Sequence, residues 1–354
     1  MKNRMERFLS LIESNGLDGF IVAEEKNMQY FTGFSGGSIL FVHKGGESTL
    51  YVYGVNYEAA KVKTREASVE LVKPGEDLIE KIVKRLRSLK LHNVGFDSLK
   101  ASTYLKLKKS SDEITFKDAG NLVWTLRRVK DSSEITLMRK AAELTSRGMS
   151  KAAEVIEAGL TEREVAAEIE YAMRKTGSDG VAFDTIVSSG PNSAFPHGGC
   201  GDRVIKKGDF VIIDVGAKYR DYCSDLTRTF IIGKPSSKQS KIYETVRKAQ
   251  DLAVKNVKAK VEAREVDRVA RDYISKAGYG EYFVHSLGHG VGLEVHEPPT
   301  LSPKSKDVLV EGNVVTIEPG IYIPGFGGVR IEDTILILKD RAEKLTKAPT
   351  QMFS

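Results

Sequence analysis

Four acidic side chains stand where acids are costly. Asp214 and Asp225 in one half, and Glu318 and Glu332 in the other, are read on strands that are otherwise apolar: FVIID, TFII, VVTIE and TILIL. A charged group in an otherwise apolar strand is unstable unless it is paired or bound to a metal. Four carboxylates converging on one point would repel strongly. Two divalent cations would cancel four negative charges, so the pattern predicts a dinuclear metal site. Four histidines, His197, His285, His289 and His296, fall in one stretch of the chain. His289 sits in SLGHGVG, where small neighbours let the ring approach a metal closely, and it is read as the fifth ligand. Oxygen donors with one imidazole suit Mn2+, Co2+ or Zn2+ better than a metal that prefers thiolate. Ions about 3.5–4 Å apart can hold a hydroxide between them, polarise a carbonyl and stabilise the oxyanion that develops. The implied chemistry is hydrolysis.

The elements that position these residues form an internal repeat. Gly208, Asp214 and Gly216 recur at one constant offset as Gly312, Glu318 and Gly320. SDLTRTFII (224–232) matches IEDTILIL (331–338), with Asp225 falling on Glu332. Residues 163–177 and 264–278 both open Arg-Glu-Val. The region therefore reads as two α+β halves, each a helix pair plus a β-hairpin. The turns are expected at Tyr219–Asp221 and Pro324–Gly328, with each acid carried on a strand.

Ahead of the repeat, strands and helices alternate. Residues 17–23 read as a buried strand, and 38–43 with 49–53 as a hairpin around Gly45-Gly46. Residues 75–89 place Leu78, Ile79, Ile82, Val83 and Leu86 on one helical face. Residues 93–96 and 113–116 read as short strands, and the first sixteen as an amphipathic helix, not a signal peptide. The boundary falls near 127–135, where Asp131 and Glu134 have capping-box spacing. Residues 1–126 form an α/β domain and 127–354 the domain with the repeat.

Composition narrows the function. The chain has 354 residues, 41% hydrophobic and 29% charged, with a net charge of +6. That describes a folded chain with a sizeable core. No apolar run is long enough to span a bilayer. Basic residues are spread rather than gathered in a stripe, so neither nucleic acid nor membrane is an expected partner. Two cysteines, Cys200 and Cys223, do not make a disulfide framework, and a reducing cytoplasm is expected. Cys223 reads as a small buried filler facing the same side as Asp225. Gly288–Gly292 lacks the G-x-G-x-x-G spacing of a nucleotide loop. His43 and His92 read as structural, and Asp221 and Asp333 as surface groups. His285 is open between packing beneath the site and orienting a ligand.

The motifs FPHG, IDVG with SDLTRTF, HSLGHGVGLEVHEPP, TIEPGIY and GGVRIEDT resemble those of the pita-bread metallopeptidases. They are most similar to the branch of prolidase (Xaa-Pro dipeptidase) and aminopeptidase P. The resemblance covers essentially the whole chain, and no ligand position departs from it. It implies an α+β fold, with a creatinase-like amino-terminal domain followed by a pita-bread catalytic domain with a pseudo-twofold repeat. It implies that Asp214 binds one metal, Asp225 and Glu332 bridge both, and His289 and Glu318 hold the second. Glu318 would also carry the proton to the leaving nitrogen. His197 would contact substrate near the scissile bond, and His296 would stabilise the tetrahedral intermediate. Arg330 would lie near the metals or the substrate carboxylate, and Tyr322 would line the pocket. Asn27–Gly33 would approach the cleft, or else be an ordinary helix-to-strand connection. The implied substrates are short proline-containing peptides, as dipeptides or, for an aminopeptidase P, longer chains. A homodimer is implied. A non-catalytic pita-bread binding module is the remaining reading.

Overall fold

The structure is a computed structural model that describes residues 4–348. It divides between Arg127 and Arg128 into two compact units. Among the described residues, no helix is long and apolar enough to cross a membrane.

The first unit runs α1 (Arg4–Ser14), β1 (Gly19–Val22), α2 (Glu25–Thr32), β2 (Ile39–His43), β3 (Ser48–Tyr53) and α3 (Gly54–Lys63). It continues β4 (Ser68–Val72), α4 (Leu78–Ser88), β5 (Asn93–Phe96), α5 (Ala101–Ser110), β6 (Thr115–Asp118) and α6 (Gly120–Arg127). The strands form one sheet in the order β4-β3-β2-β1-β5-β6. β1 is apolar along its length, apart from its first glycine, because it is buried throughout. In α4 the predicted face is the one that packs: Ile82, Val83 and Leu86 are buried, and Asp77 caps the helix by accepting from the Ile79 and Glu80 amides. Asn27–Gly33 is not a connection. It is mostly helix, closed by Gly33 in the left-handed region at φ 73°. The Asn27 amide anchors it by donating to Asp97 at 2.7 Å.

The second unit begins with α7 (Ser132–Val155) and α8 (Glu162–Lys175), then β7 (Gly180–Val181) and β8 (Ile186–Ser189). Next come β9 (Phe210–Val215), β10 (Ala217–Tyr219), β11 (Tyr222–Cys223) and β12 (Leu226–Ile231). The second half repeats this plan with α9 (Ser237–Asn256), α10 (Ala263–Lys276), β13 (Gly288–Gly290) and β14 (Glu297–Leu301). It then has β15 (Val314–Ile317), β16 (Gly320–Ile323), β17 (Gly327–Arg330), β18 (Asp333–Ile337) and β19 (Ala342–Lys344). In each half a long antiparallel pair, β9–β12 or β15–β18, is interrupted by a short hairpin, β10–β11 or β16–β17. Each half also has its own core. Leu144, Ile169, Ile213 and Phe230 belong to one, and Val246, Ile274, Val315 and Ile335 to the other. Capping boxes at Asp131, Thr161 and Ser236 start α7, α8 and α9. The β10–β11 turn is the two-residue kind, with Arg220 at φ 46° and Asp221 at φ 69°.

Only one of the four acids lies within a strand. Asp214 is in β9, opposite Thr227. Asp225 stands one residue before β12, Glu318 one residue after β15, and Glu332 one residue before β18. Regular pairing stops there for stated reasons. Pro319 has no amide to continue the β15 ladder past Glu318. The Thr334 hydroxyl takes the Asp225 amide at 3.2 Å and donates to the Asp225 carbonyl at 2.7 Å. At a strand end a side chain is released from strict alternation, so all these acids can turn one way.

β13 approaches β15 closely at Gly288, where a Cβ would lie 2.1 Å from the Thr316 carbonyl oxygen. Gly288→Ala should force the two strands apart and cost about 1–3 kcal/mol, read as a lower urea midpoint with an unchanged slope.

Candidate metal centre

The acids and the imidazole meet in one cleft of about 820 Å³ in the second unit. Asp214, Asp225, His289, Glu318 and Glu332 all line it, with His197, His296 and Arg330. One ligand atom each from Asp225, His289 and Glu332 lies within 4.8 Å of the other two. His289 Nε2 is 3.3 Å from Glu318 Oε1 and 3.7 Å from Asp225 Oδ2.

Each donor is aimed by a neighbour. His289 Nδ1 lies 3.0 Å from the Gly290 carbonyl oxygen, which can only accept. That contact keeps a proton on Nδ1 and turns Nε2 toward the acids, where its lone pair would be the one offered to a cation. The His289 amide donates to Thr316 Oγ1, whose hydroxyl donates to Glu318 Oε1 at 3.0 Å. Thr227 does the same in the other half, donating to Glu332 Oε2 at 2.6 Å. Arg330 donates from Nε to Thr227, from Nη1 to Tyr322 and the Pro196 carbonyl, and from Nη2 to Asp214 Oδ2 at 2.6 Å.

Three carboxylate oxygens have no such partner. Asp214 Oδ1, Asp225 Oδ1 and Glu332 Oε1 are buried and accept no hydrogen bond. A buried oxygen that carries charge and has no donor is expensive. Three in one cleft, beside an imidazole lone pair, are a donor set that fits divalent cations.

The protonation pattern agrees. Burial, then the charges of Glu332 and Asp214, push Asp225 well above the usual carboxylate range. Burial, then Glu318 and Asp214, do the same to Glu332. Burial also opposes the charge on Glu318, but hydrogen bonding to His289 and nearby positive charge hold it down at about 2. For His289, burial favours the neutral ring, and the Glu318 contact outweighs it and raises the pKa. Without cations, then, the acids share protons among themselves, and Arg330 offsets only part of their charge.

Several predicted residues land differently. Tyr322 does not line the cleft. It is buried behind Arg330, with its hydroxyl bonded to Arg330 and 2.9 Å from His285 Nε2. His285 itself lines the cleft and also touches Tyr322, which bonds Arg330. Asp333 is no surface group. It is buried and saturated by Arg228, Lys344, Gln250 and Thr346. That contrast separates it from Glu332 next door. Cys223 is a buried thiol packed at the Leu293 carbonyl, as a filler would be. The threonines at 227 and 316 were not singled out beforehand. Their signal was a hydroxyl at i−2 to Glu318 and opposite Asp214.

Known proteins resemble the chain along essentially its whole length. The model described as Metallopeptidase family M24 matches residues 136–339, and that of the Creatinase/Prolidase N-terminal domain matches 4–129. The Xaa-Pro dipeptidase of Pyrococcus furiosus is 44% identical over 100% of both chains. The prolidase structure from Pyrococcus horikoshii OT3 has a TM-score of 0.93 at 42% identity, covering 98% of this chain and 99% of that one. The X-Pro aminopeptidase structure from Thermotoga maritima has a TM-score of 0.91 at 38% identity, covering 99% of both.

Two outcomes follow for the metal-free and loaded protein. The raised pKa of Glu332 means that the folded metal-free chain loses stability as pH rises through that value. Glu332→Gln should therefore raise the urea midpoint of the metal-free protein above neutral pH. It should also reduce the rise in melting temperature on adding Mn2+, which for the parent corresponds to about 2.7 kcal/mol at a hundredfold excess over Kd. Thr316→Val should weaken metal affinity about 10–100-fold by calorimetry, because it removes an orienting hydroxyl without touching a ligand.

Proposed function

This chain belongs to metallopeptidase family M24, with a creatinase/prolidase amino-terminal domain, and on that premise we propose that it hydrolyses Xaa-Pro dipeptides with two divalent ions. The observation that carries the reading is the set of three unpartnered buried carboxylate oxygens beside His289 Nε2. Asp214, Asp225, His289, Glu318 and Glu332 would hold the ions, Mn2+ or Co2+ before Zn2+. The choice of dipeptides is supported by full-length likeness to a protein called an Xaa-Pro dipeptidase. Free thiols at Cys200 and Cys223 support a cytoplasmic setting, and the family resemblance supports a homodimer.

Bound there, such ions would polarise the scissile carbonyl and make an attacking water more acidic. The rest of the reaction falls to side chains. Glu318, oriented by the Thr316 hydroxyl, takes the proton of the attacking water. An Xaa-Pro bond is a tertiary amide, and its nitrogen must gain a proton to leave. Glu318 passes the proton on to it. His296 is kept neutral by burial and by His289, and a neutral ring can donate a hydrogen bond to the oxyanion. His197 lines the same cleft and contacts the substrate beside the bond. Arg330 acts by holding Asp214, and Tyr322 by holding Arg330.

The aminopeptidase reading is favoured by one observation, the near-equal likeness to the Thermotoga maritima X-Pro aminopeptidase. Substrate length decides. The Mn2+-loaded protein should cleave Leu-Pro or Met-Pro faster than a tripeptide with the same first two residues. A reversed ratio would make it an aminopeptidase, and no turnover with any divalent metal would sink the hydrolase reading. Fewer than one tightly held ion per chain after reconstitution would favour a binding module. His296→Ala should lower kcat by about 10²–10⁴ while leaving metal content intact. Glu318→Ala should lose both.

A further inference from the structure

The loop that carries His296 is built around a buried ion pair. β13 and β14 pair as His289 with Thr300, and then as Gly290 with Glu297, so the register slips between His289 and Gly290. The slip throws out residues 291–296 as a loop, with His296 at its root. Within the loop the Gly292 amide donates to the Glu294 carbonyl at 3.0 Å. The Glu294 amide donates to Glu297 Oε1 at 3.1 Å. A Cβ on Gly292 would lie 2.5–2.8 Å from the Glu297 carboxylate. The carboxylate thus fills the inside of its own loop, in space that any side chain at 292 would need.

Such a carboxylate needs a cation. Lys130 Nζ donates to Glu297 Oε2 at 3.1 Å, and both side chains are 1% exposed. Lys130 is itself fixed by its backbone. Its amide donates to the Gly312 carbonyl at 2.9 Å, and the next residue, Asp131, opens the capping box of α7. A rigid cation at the start of the longest helix therefore pins the loop from inside. We propose that Lys130 is a positioning residue: through Glu297 it seats the His296 imidazole against His289, whose ring centroid is 4.2 Å away. The consequence for turnover rests on the role given to His296 above.

His289 has supports of its own, in Thr316 and the Gly290 carbonyl. Removing the Lys130 amine takes from the buried Glu297 the cation that pins it, which loosens the loop and moves His296 while His289 stays. A displacement near 1 Å in a catalytic group can cost about a hundredfold in rate.

The test uses the full chain loaded with Mn2+ and Leu-Pro as substrate. Lys130→Met should lower kcat about 10–100-fold, with KM and bound metal unchanged. The double variant Lys130→Met/Glu297→Gln removes both charges of the pair. It should recover the urea midpoint but not kcat, which separates placement from folding. In a His296→Ala background, Lys130→Met should have no further effect on kcat, and losses that multiply would overturn the proposal. A second readout needs no turnover. The six histidines give few ring resonances, so in metal-free protein at one pH the His296 signal, assigned by its loss in His296→Ala, should shift in the Lys130 variants while that of His289 holds. An unmoved His296 signal in the folded double variant also overturns the proposal. If the parent cleaves no Xaa-Pro peptide, the dipeptidase reading fails, and the resonance still decides whether Lys130 seats the ring.

Discussion

Like charges forced together out of water govern this structure. Asp214, Asp225, Glu318 and Glu332 share one cleft, and burial with mutual repulsion drives two of them toward the protonated form. One arginine and one histidine cannot balance four acids. The fold tolerates the imbalance because two well-packed halves surround it, each with its own helix pair and apolar strands. Stability is spent where chemistry needs an empty, negative, rigid hole. The contrast with Asp333 makes the point. That acid, one residue from Glu332, is equally buried but answered by Arg228 and Lys344. Asp214, Asp225 and Glu332 each keep a buried oxygen that accepts no hydrogen bond, whereas both oxygens of Asp333 are taken.

The halves do not merely sit side by side. Glu332 is aimed by Thr227, and the Asp225 backbone is tied to Thr334, so each half orients an acid of the other. Arg228 of the first half bonds the Glu332 carbonyl at 2.6 Å and Asp333 at 2.9 Å. Arg330 of the second half holds Asp214 of the first. The pseudo-twofold is thus functional at the level of single hydrogen bonds.

Much of this was legible in the residues. An acid at the edge of an apolar run is a strong signal, and its recurrence at a repeat-related place is stronger. The hairpins, the α4 face and the Asp131 cap were readable from period and capping chemistry. The misses have physical causes. At Asn27–Gly33 the sequence leaves open a loop at the cleft or an ordinary connection, because its polar residues hide a helix held by Asp97 and closed by a glycine. Asp333 was taken for a surface group because a lone acid in a sequence does not reveal Arg228, a hundred residues earlier, as its partner. Tyr322 follows a motif at the site yet bonds Arg330 from inside the short strand β16, a contact set by tertiary packing that no local pattern reveals. Lys130 and Glu297 could not be paired by sequence, because their separation of 167 residues carries no periodic signal.

The crossed contacts have a consequence for biosynthesis. Thr227 and Glu332, which must meet to shape the cleft, are 105 residues apart. A chain leaving the ribosome shows Asp214 and Asp225 long before Glu318 and Glu332 exist. Neither half has its oriented acid until both have been made, so the cleft takes its final shape late in folding.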